Sequence, residues 1–434
     1  MGIVSGLKAR VRSALLSRAT AGGGLDLSKI DRIPESLSWP LQRNGFDPVP
    51  RLGDVRDADP VHKLTSYFGI TVWLVTGDAE AREVLSNNGS YSNDIRPFVG
   101  QKSGSTTDGD IGGLGFTDPP EHTRLRKLLT PEFTMRRLER LRPRIGEIID
   151  ECLDQVAVGG PVVDLVPTFA FPVPFQVICE LLGLPVEDRE TFRGLATARF
   201  DVTYGGAGAL GAISGSREFL LDFAAQQRKD PGDGLVGQII REHGDTISDY
   251  DLGGLADGVF TGGLETSASM LALGTAVLLN HPEEYAALAN GSADVDRTVD
   301  ELLRFLAVVQ IAFPRFAKHD VEIAGKRIGT GDVVVCHLPG TNRDRALAGD
   351  DRSMEAFDPH REMKSSNLAF GHGFHRCIGA ELAKMELRMA YPALASRFPH
   401  LTLETQDLPF RQRSIVYGVD ELPVRLNSVV SSGG

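Results

Sequence analysis

Cysteine is scarce in this chain. Four occur in 434 residues, at positions 152, 179, 336 and 377, and none stands in a CxxC spacing. That excludes a disulfide scaffold and suits a reducing cytosol. Excess basic charge is also lacking: the formal net charge is −12, which argues against wholesale nucleic-acid binding. No uncharged apolar run reaches the ~18 residues that a membrane-spanning helix needs. The best candidate, 255–279, carries Asp257 and Glu265. No internal repeat and no secretory signal are visible. The start, MGIVSGLKARVRSALLSR, nearly matches a myristoylation signal, but Gly6 stands where Ser or Thr is wanted. Residues 1–24 are therefore expected to be a flexible basic tail without stable membrane insertion, and 429–434 a second tail. A single domain is expected over 25–428.

What is present is mostly helical periodicity, over 121–156, 171–182, 214–227, 248–279, 295–305 and 377–398. Strand-like runs are short: ITVWLVT, DVEIAGKRI, DVVVCHL and LPVRL. The fold class is mainly α with small β-sheets. Two glycine-rich stretches, 99–115 and 204–215, read as loops that could act as lids.

Three of the cysteines lie in apolar patterns and read as small buried hydrophobes. Cys377 differs. It follows a turn rich in glycine and histidine, FGHGFHR, and precedes AELAKMELRMA, a run of strong helix formers. A helix N-terminus favours a thiolate there. Gly371 and Gly373 permit positive φ, and Gly379 permits close approach of a flat ligand. Three chemistries suit such a thiolate: zinc with His372 and His375, nucleophilic catalysis with a histidine base, or ligation of haem iron.

Phe370, Gly371, Gly373, His375, Cys377 and Gly379, six fixed positions in ten residues, resemble the haem-binding signature of the cytochrome P450 family. Other segments agree in order and spacing from about residue 47 to 426. GGLETS (262–267) resembles the family's oxygen-activation segment, ELLR (301–304) its ExxR pair, and FDPHR (357–361) the partner stretch of that pair. The resemblance implies a P450 fold, with haem b held between the long central helix and the helix that follows the cysteine. It implies Cys377 as iron ligand, with Phe370, Gly371, Gly379 and Ala383 against the haem. His122, Arg126, Arg315 and His375 match propionate-binding positions. Gly263 would leave room for dioxygen, Thr266 would steady it with a water, and Glu265 would feed protons. Glu301, Arg304 and Arg361 would form a structural network. Val259, Gly262, Val309, Ile311, Ala312 and Val416 would line a hydrophobic substrate pocket.

The activity so implied is monooxygenation of a hydrophobic small molecule in the cytoplasm. Phenol coupling or desaturation on the same scaffold is the alternative, as is a non-catalytic haem-binding protein. No dinucleotide motif is present, because GHGFHR carries Arg376 where GxGxxG needs glycine. Electrons should therefore come from a separate ferredoxin and its NAD(P)H-dependent reductase. Lys127, Arg136, Arg137, Arg140, Arg142 and Arg144 are the expected docking face for an acidic ferredoxin. Asn367 departs from the histidine that many bacterial relatives carry, which bears on redox tuning.

Overall fold

A helix of 31 residues, Asp249–Leu279, is the axis on which the other elements are stacked. Its start is set by Ser248, whose hydroxyl accepts the Asp251 N–H at 3.0 Å. Its second half is buried almost all round, from Met270 to Leu278. A helix apolar on every face belongs in an interior. By length and mean hydropathy of 1.3 it could cross a membrane, but 67% of its apolar window is buried inside the protein. Pro172–Leu182, Gly205–Gln227 and Ala380–Arg397 pack along it. The last of these approaches very closely: a Cβ on Gly274 would lie 2.0 Å from the Tyr391 hydroxyl, which donates to the Met270 carbonyl at 2.5 Å.

The computed structural model describes residues 35–67, 70–94, 114–200 and 205–427. Both expected tails and most of the 99–115 stretch lie outside these residues. The largest sheet has five strands in the order Val61–Tyr67, Ile70–Val75, Val333–Cys336, Arg315–Ala317, Tyr91–Ser92. Ile70–Val75 and Val333–Cys336 run parallel, with Cys336 opposite Val75. Val321–Ile323 and Lys326–Ile328 pair as a hairpin, and its turn residues Ala324 and Gly325 both have positive φ. A third sheet joins Thr402–Leu403, Pro423–Arg425 and Val162–Asp164.

Two expectations are corrected. The helical run 121–156 is three helices, Glu121–Leu129, Met135–Leu138 and Arg142–Val158, joined by Thr130–Phe133 in a 3₁₀ turn. Pro131 and Pro143 stand in the first turns after each break, where a missing N–H is tolerated and a continuing helix is not. The 204–215 stretch is not a loop from 205 on, because Gly205–Gln227 is one helix. Tertiary packing overrides glycine's poor propensity there. Leu221 of that helix sits where a Cβ on Gly253 would be 2.4 Å away.

Glycine pairs also set the joint between Pro172–Leu182 and Leu235–His243. The first helix ends at Gly183 with φ +82°, and the Leu184 N–H reaches the Cys179 carbonyl at 2.8 Å. A Cβ on Gly234, the cap of the second helix, would lie 2.3 Å from the Gly183 Cα.

Candidate active site

The thiol loop is shaped by glycine. Gly371 and Gly373 have φ of +68° and +70°. At Gly373 a Cβ would come 2.6 Å from the Leu85 carbonyl oxygen. The loop closes where the Cys377 N–H donates to the Phe370 carbonyl at 2.9 Å. Gly379 caps Ala380–Arg397, and the half-buried Ala383 in its first turn returns an N–H to the Gly379 carbonyl at 2.9 Å. Cys377 thus precedes the first helical residue by three positions. Its thiol is accessible, yet enough protein surrounds it that burial raises its pKa. The Gly379 N–H, Arg376 and Arg126 pull the other way but do not prevail. The helix end alone does not make the thiolate that the sequence suggested. A metal cation bound to the sulfur would.

The loop is held from behind by an ion-pair network. Val295–Leu306 starts at Asp294, which caps Arg297 N–H at 3.1 Å. On its buried face Arg304 grips Glu301 with two bonds, 2.7 and 2.9 Å. Arg304 is 1% and Glu301 5% exposed. The remaining guanidinium donors go to the carbonyls of Asn342, Met354 and Ala356 at 2.8 to 3.0 Å. Glu301 also accepts the Asp358 N–H at 2.8 Å, and Arg361 stands 3.6 Å from it. Every donor of Arg304 is used, as a buried charge requires. Asn342 carries the network forward, accepting the Leu368 N–H at 2.7 Å. Asn367 accepts the Ala369 N–H and donates to the Asp300 carbonyl, both at 3.1 Å. It is a turn residue at the root of the loop.

Facing the loop is a cluster of basic side chains from three segments. His122 is fully buried, and neither ring nitrogen has a hydrogen-bond partner. Its ring centre is 4.2 Å from that of His375. Arg126, one helical turn on, donates to the Arg376 carbonyl at 2.9 Å. Arg315 is buried and donates to the Phe313 carbonyl at 2.7 Å. Burial, with neighbouring cations, pushes His122 down to about 4 and His375 down to about 3. Asp118 is the carboxylate whose charge reaches His122 and Arg315, and it does not offset their burial. A ligand with two carboxylates would supply further negative charge.

On the central helix, the Thr266 hydroxyl donates to the Gly262 carbonyl at 2.7 Å. The helix continues through this segment without interruption. At Gly263 a Cβ would meet the Ile178 side chain at 2.9 Å, so this glycine also serves helix packing. The open side is at Gly262, where a Cβ would touch nothing within 4 Å. Glu265 is pushed up by burial, opposed by Arg411, whose Nη1 is 3.6 Å from Oε1. Nothing in the sequence pointed to Arg411, which lies in the C-terminal stretch.

Of the expected pocket residues, the half-buried Val259 lies on the central helix. Val309 bridges Val416, and Ala312 shares the apolar cluster against which Val309 packs. Ile311 does not join them. It packs on Trp39, Leu52, Leu74 and Val335 beside the large sheet. Phe313 is 46% exposed and meets Phe116 edge-on at 4.8 Å. The sequence reading missed that aromatic pair.

The expected docking face is largely neutralised. Arg137 and Arg140 both pair with the buried Glu132, at 3.5 and 3.0 Å. Arg142 pairs with Glu139, and Arg144 with Glu147, Glu151 and Glu180. Lys127 and Arg136 are exposed and have no ion-pair partner among the described residues.

Residues 294–426 match the family model described as cytochrome P450. The chain is 37% identical over 393 residues to cytochrome P450 165B3 of Amycolatopsis orientalis, covering 88% of this chain and 97% of the relative. Among solved structures, OxyE (CYP165D3), a cytochrome P450 involved in teicoplanin biosynthesis, superposes with a TM-score of 0.80 at 38% identity, over 89% of this chain and 99% of that one. OxyC, implicated in an oxidative C–C coupling reaction during vancomycin biosynthesis, gives 0.79 at 35% identity, over 88% and 95%.

The chain belongs to the cytochrome P450 family. The fold class read from the sequence holds. As a P450 it is a monooxygenase whose cofactor is haem b. The residues present fit that group. The unpartnered nitrogens of His122, the guanidinium groups of Arg126 and Arg315 and the exposed Cys377 on a glycine-built loop are what an iron porphyrin with two carboxylates would satisfy. Zinc has no comparable support. Among the described residues no three His, Cys, Asp or Glu side chains converge.

Proposed function

We propose that this P450 inserts one atom of dioxygen into a hydrophobic small molecule, that Cys377 is its iron ligand, and that residues 25–428 act as one catalytic domain in the cytoplasm. The placing of Cys377 beside Arg126, and of Arg126, Arg315 and His375 beside the buried, unpartnered His122, carries this reading. When bound, haem supplies the reducible, thiolate-ligated iron at which dioxygen is activated. The chain's own residues do the rest. His122, Arg126, Arg315 and His375 hold the two carboxylates, and the histidines regain protons as they do so. Phe370, Gly371, Gly379 and Ala383 would lie against the porphyrin when it is bound.

Balance requires two electrons and two protons. One oxygen atom enters the substrate and the other leaves as water. Glu265 exchanges protons with water, and the Thr266 hydroxyl hands them on once it turns from the Gly262 carbonyl. Val259, Gly262, Val309, Ala312 and Val416 present an apolar wall to the substrate. Bacterial members of the family generally take electrons from a ferredoxin and its reductase. We assign an NAD(P)H-dependent pair of this kind, docking at Lys127 and Arg136.

A second reading, oxidative coupling of aromatic rings, draws on the likeness to OxyC. The products separate the two: insertion leaves one atom from isotope-labelled dioxygen in the product, while coupling removes two hydrogen atoms and adds none. The primary test is optical. The reduced carbon monoxide complex should show the red-shifted Soret band of thiolate ligation, and Cys377→Ala should abolish it. Absence of that band in the loaded wild type would end the reading.

A further inference from the structure

Glu265 does not stand alone on the central helix. The guanidinium that meets it comes from a hairpin near the C-terminus. Phe410 and Val419 bridge across this hairpin. The Arg411 N–H donates to the Gly418 carbonyl at 2.9 Å, and the Asp420 N–H to the Pro409 carbonyl at 3.1 Å. The side chain of Arg411 is shared between two carboxylates. Its Nε donates to Asp420 at 2.6 Å, and its Nη1 stands 3.6 Å from Glu265. The hairpin lies directly on the helix. A Cβ on Gly418 would fall 2.8 Å from the Ser269 hydroxyl and 3.2 Å from Arg411 Nη1. Glycine at 418 leaves the gap through which the guanidinium reaches Glu265.

The far end of the same hairpin faces the proposed pocket. Val416 bridges Val309, the Gln310 N–H donates to the Ile415 carbonyl at 2.9 Å, and Ile415 is exposed. The turn between is tight, with Arg413 at φ +59°. One short hairpin therefore carries an apolar tip toward the substrate and a cation toward the acid.

We propose that Arg411 is a positioning residue that keeps the Glu265 carboxyl turned to the hairpin, so that the substrate-facing hairpin 410–419 governs proton supply. This rests on Glu265 being the proton-exchanging acid of the proposed function. The two distances suit the role. The shorter pair with exposed Asp420 fixes the guanidinium on the hairpin. The longer one attracts the Glu265 carboxylate without a hydrogen bond, leaving its oxygens free to exchange with water. Burial pushes Glu265 up, and Arg411 pulls the other way without prevailing. Among the described residues, Arg411 is the charged group facing Glu265, and Asp420 acts on it through Arg411. The neighbouring hydroxyls of its own helix, Thr261 and Thr266, donate to the Asp257 and Gly262 carbonyls. A ligand pressing on Ile415 and Val416 shifts the strand whose backbone bonds anchor Arg411.

The test uses the haem-loaded full chain and its Arg411→Ala, Arg411→Lys, Asp420→Asn and Glu265→Gln variants. Isotope-edited difference infrared spectroscopy reads the titration midpoint of the Glu265 carboxyl, assigned by its loss in Glu265→Gln and requiring no turnover. The second readout is the share of consumed dioxygen released as peroxide, with a ferredoxin, its reductase and NADPH as electron source. Arg411→Ala should raise the midpoint by about one pH unit or more and raise the peroxide share. Arg411→Lys should restore most of both. Asp420→Asn should lower the midpoint, because the guanidinium is released toward Glu265. If Arg411→Ala fails to load haem, Asp420→Asn carries the test by its downward shift, against an Arg411→Lys midpoint that stays near the wild-type value. An unmoved midpoint, with Glu265→Gln itself raising peroxide, overturns the role of Arg411 alone. A Glu265→Gln variant with unchanged peroxide overturns the acid itself and the proposal with it.

Discussion

Replacing Arg304 by alanine removes the centre of the network behind the thiol loop. The loss can be sized from its contacts. Arg304 makes two bonds to Glu301 and three to main-chain carbonyls, all in a site that is 1 to 5% exposed. Removing one partner of a buried ion pair leaves the other uncompensated and costs about 3–5 kcal/mol. The orphaned carbonyls of Asn342, Met354 and Ala356 push toward the upper end of that range. With an unfolding entropy of about 2 cal/mol/K per residue over some 390 residues, about 4 kcal/mol lowers the melting temperature by about 5 °C. The path through Asn342 to Leu368 predicts that haem occupancy falls in parallel. Differential scanning calorimetry and the Soret-to-protein absorbance ratio measure the two effects. Glu301→Ala combined with Arg304→Ala should cost less than the sum of the single changes, because the second removes the charge stranded by the first. An Arg304→Ala protein with an unchanged melting temperature and full haem content would refute the account of the network as the support of the loop.

The two glycines of the central helix should separate cleanly. Gly263→Ala should lower stability by about 1 kcal/mol through the Ile178 contact, whereas Gly262→Ala should leave the melting temperature intact and change substrate-induced spin-state spectra. The haem-free protein should lose stability on acidification. Folding lowers His122 to about 4, and His337 and His375 each to about 3, from an unfolded value near 6.5. The unfolded state then binds more protons below pH 6.5, so stability present above that pH falls away as pH drops towards 4. Chemical denaturation at stepped pH measures it, and substituting His122 by glutamine should flatten the slope. Charge reversal at Lys127 and Arg136 together should slow reduction by ferredoxin and weaken its salt dependence, while reversal at Arg144 should do neither. Stopped-flow reduction at two ionic strengths checks this.

The thiol loop was legible because its chemistry is local. Glycine, histidine and cysteine at fixed intervals describe one turn, and the structure places all of them around it. The central helix was legible for the same reason, a long periodic run with a serine cap. The Glu301–Arg304 pair was legible as a spacing, but its carbonyl partners were not, since main-chain acceptors leave no trace in side-chain identity. The packing role of Gly263 was not legible, because two adjacent glycines on a helix face different neighbours and only the fold tells which faces Ile178. The ion pairs within the expected docking face were not legible, because charges were counted without their partners: Glu132 is close to Arg137 and Arg140 in sequence, yet its burial between them is a property of the folded turn. The helix at 205 was hidden because glycine propensity opposed it and only contact with the central helix decides.

The facing glycines at 183 and 234 carry a consequence for how this sequence can change. Most packed pairs drift by exchange, one side chain shrinking as its neighbour grows. Here neither partner has a side chain to surrender. A Cβ on residue 234 would fall 2.3 Å from the other backbone, and residue 183 holds a φ of +82° besides. No compensating substitution exists at the contact itself. The joint between these two helices can be inherited or abandoned, but not gradually revised.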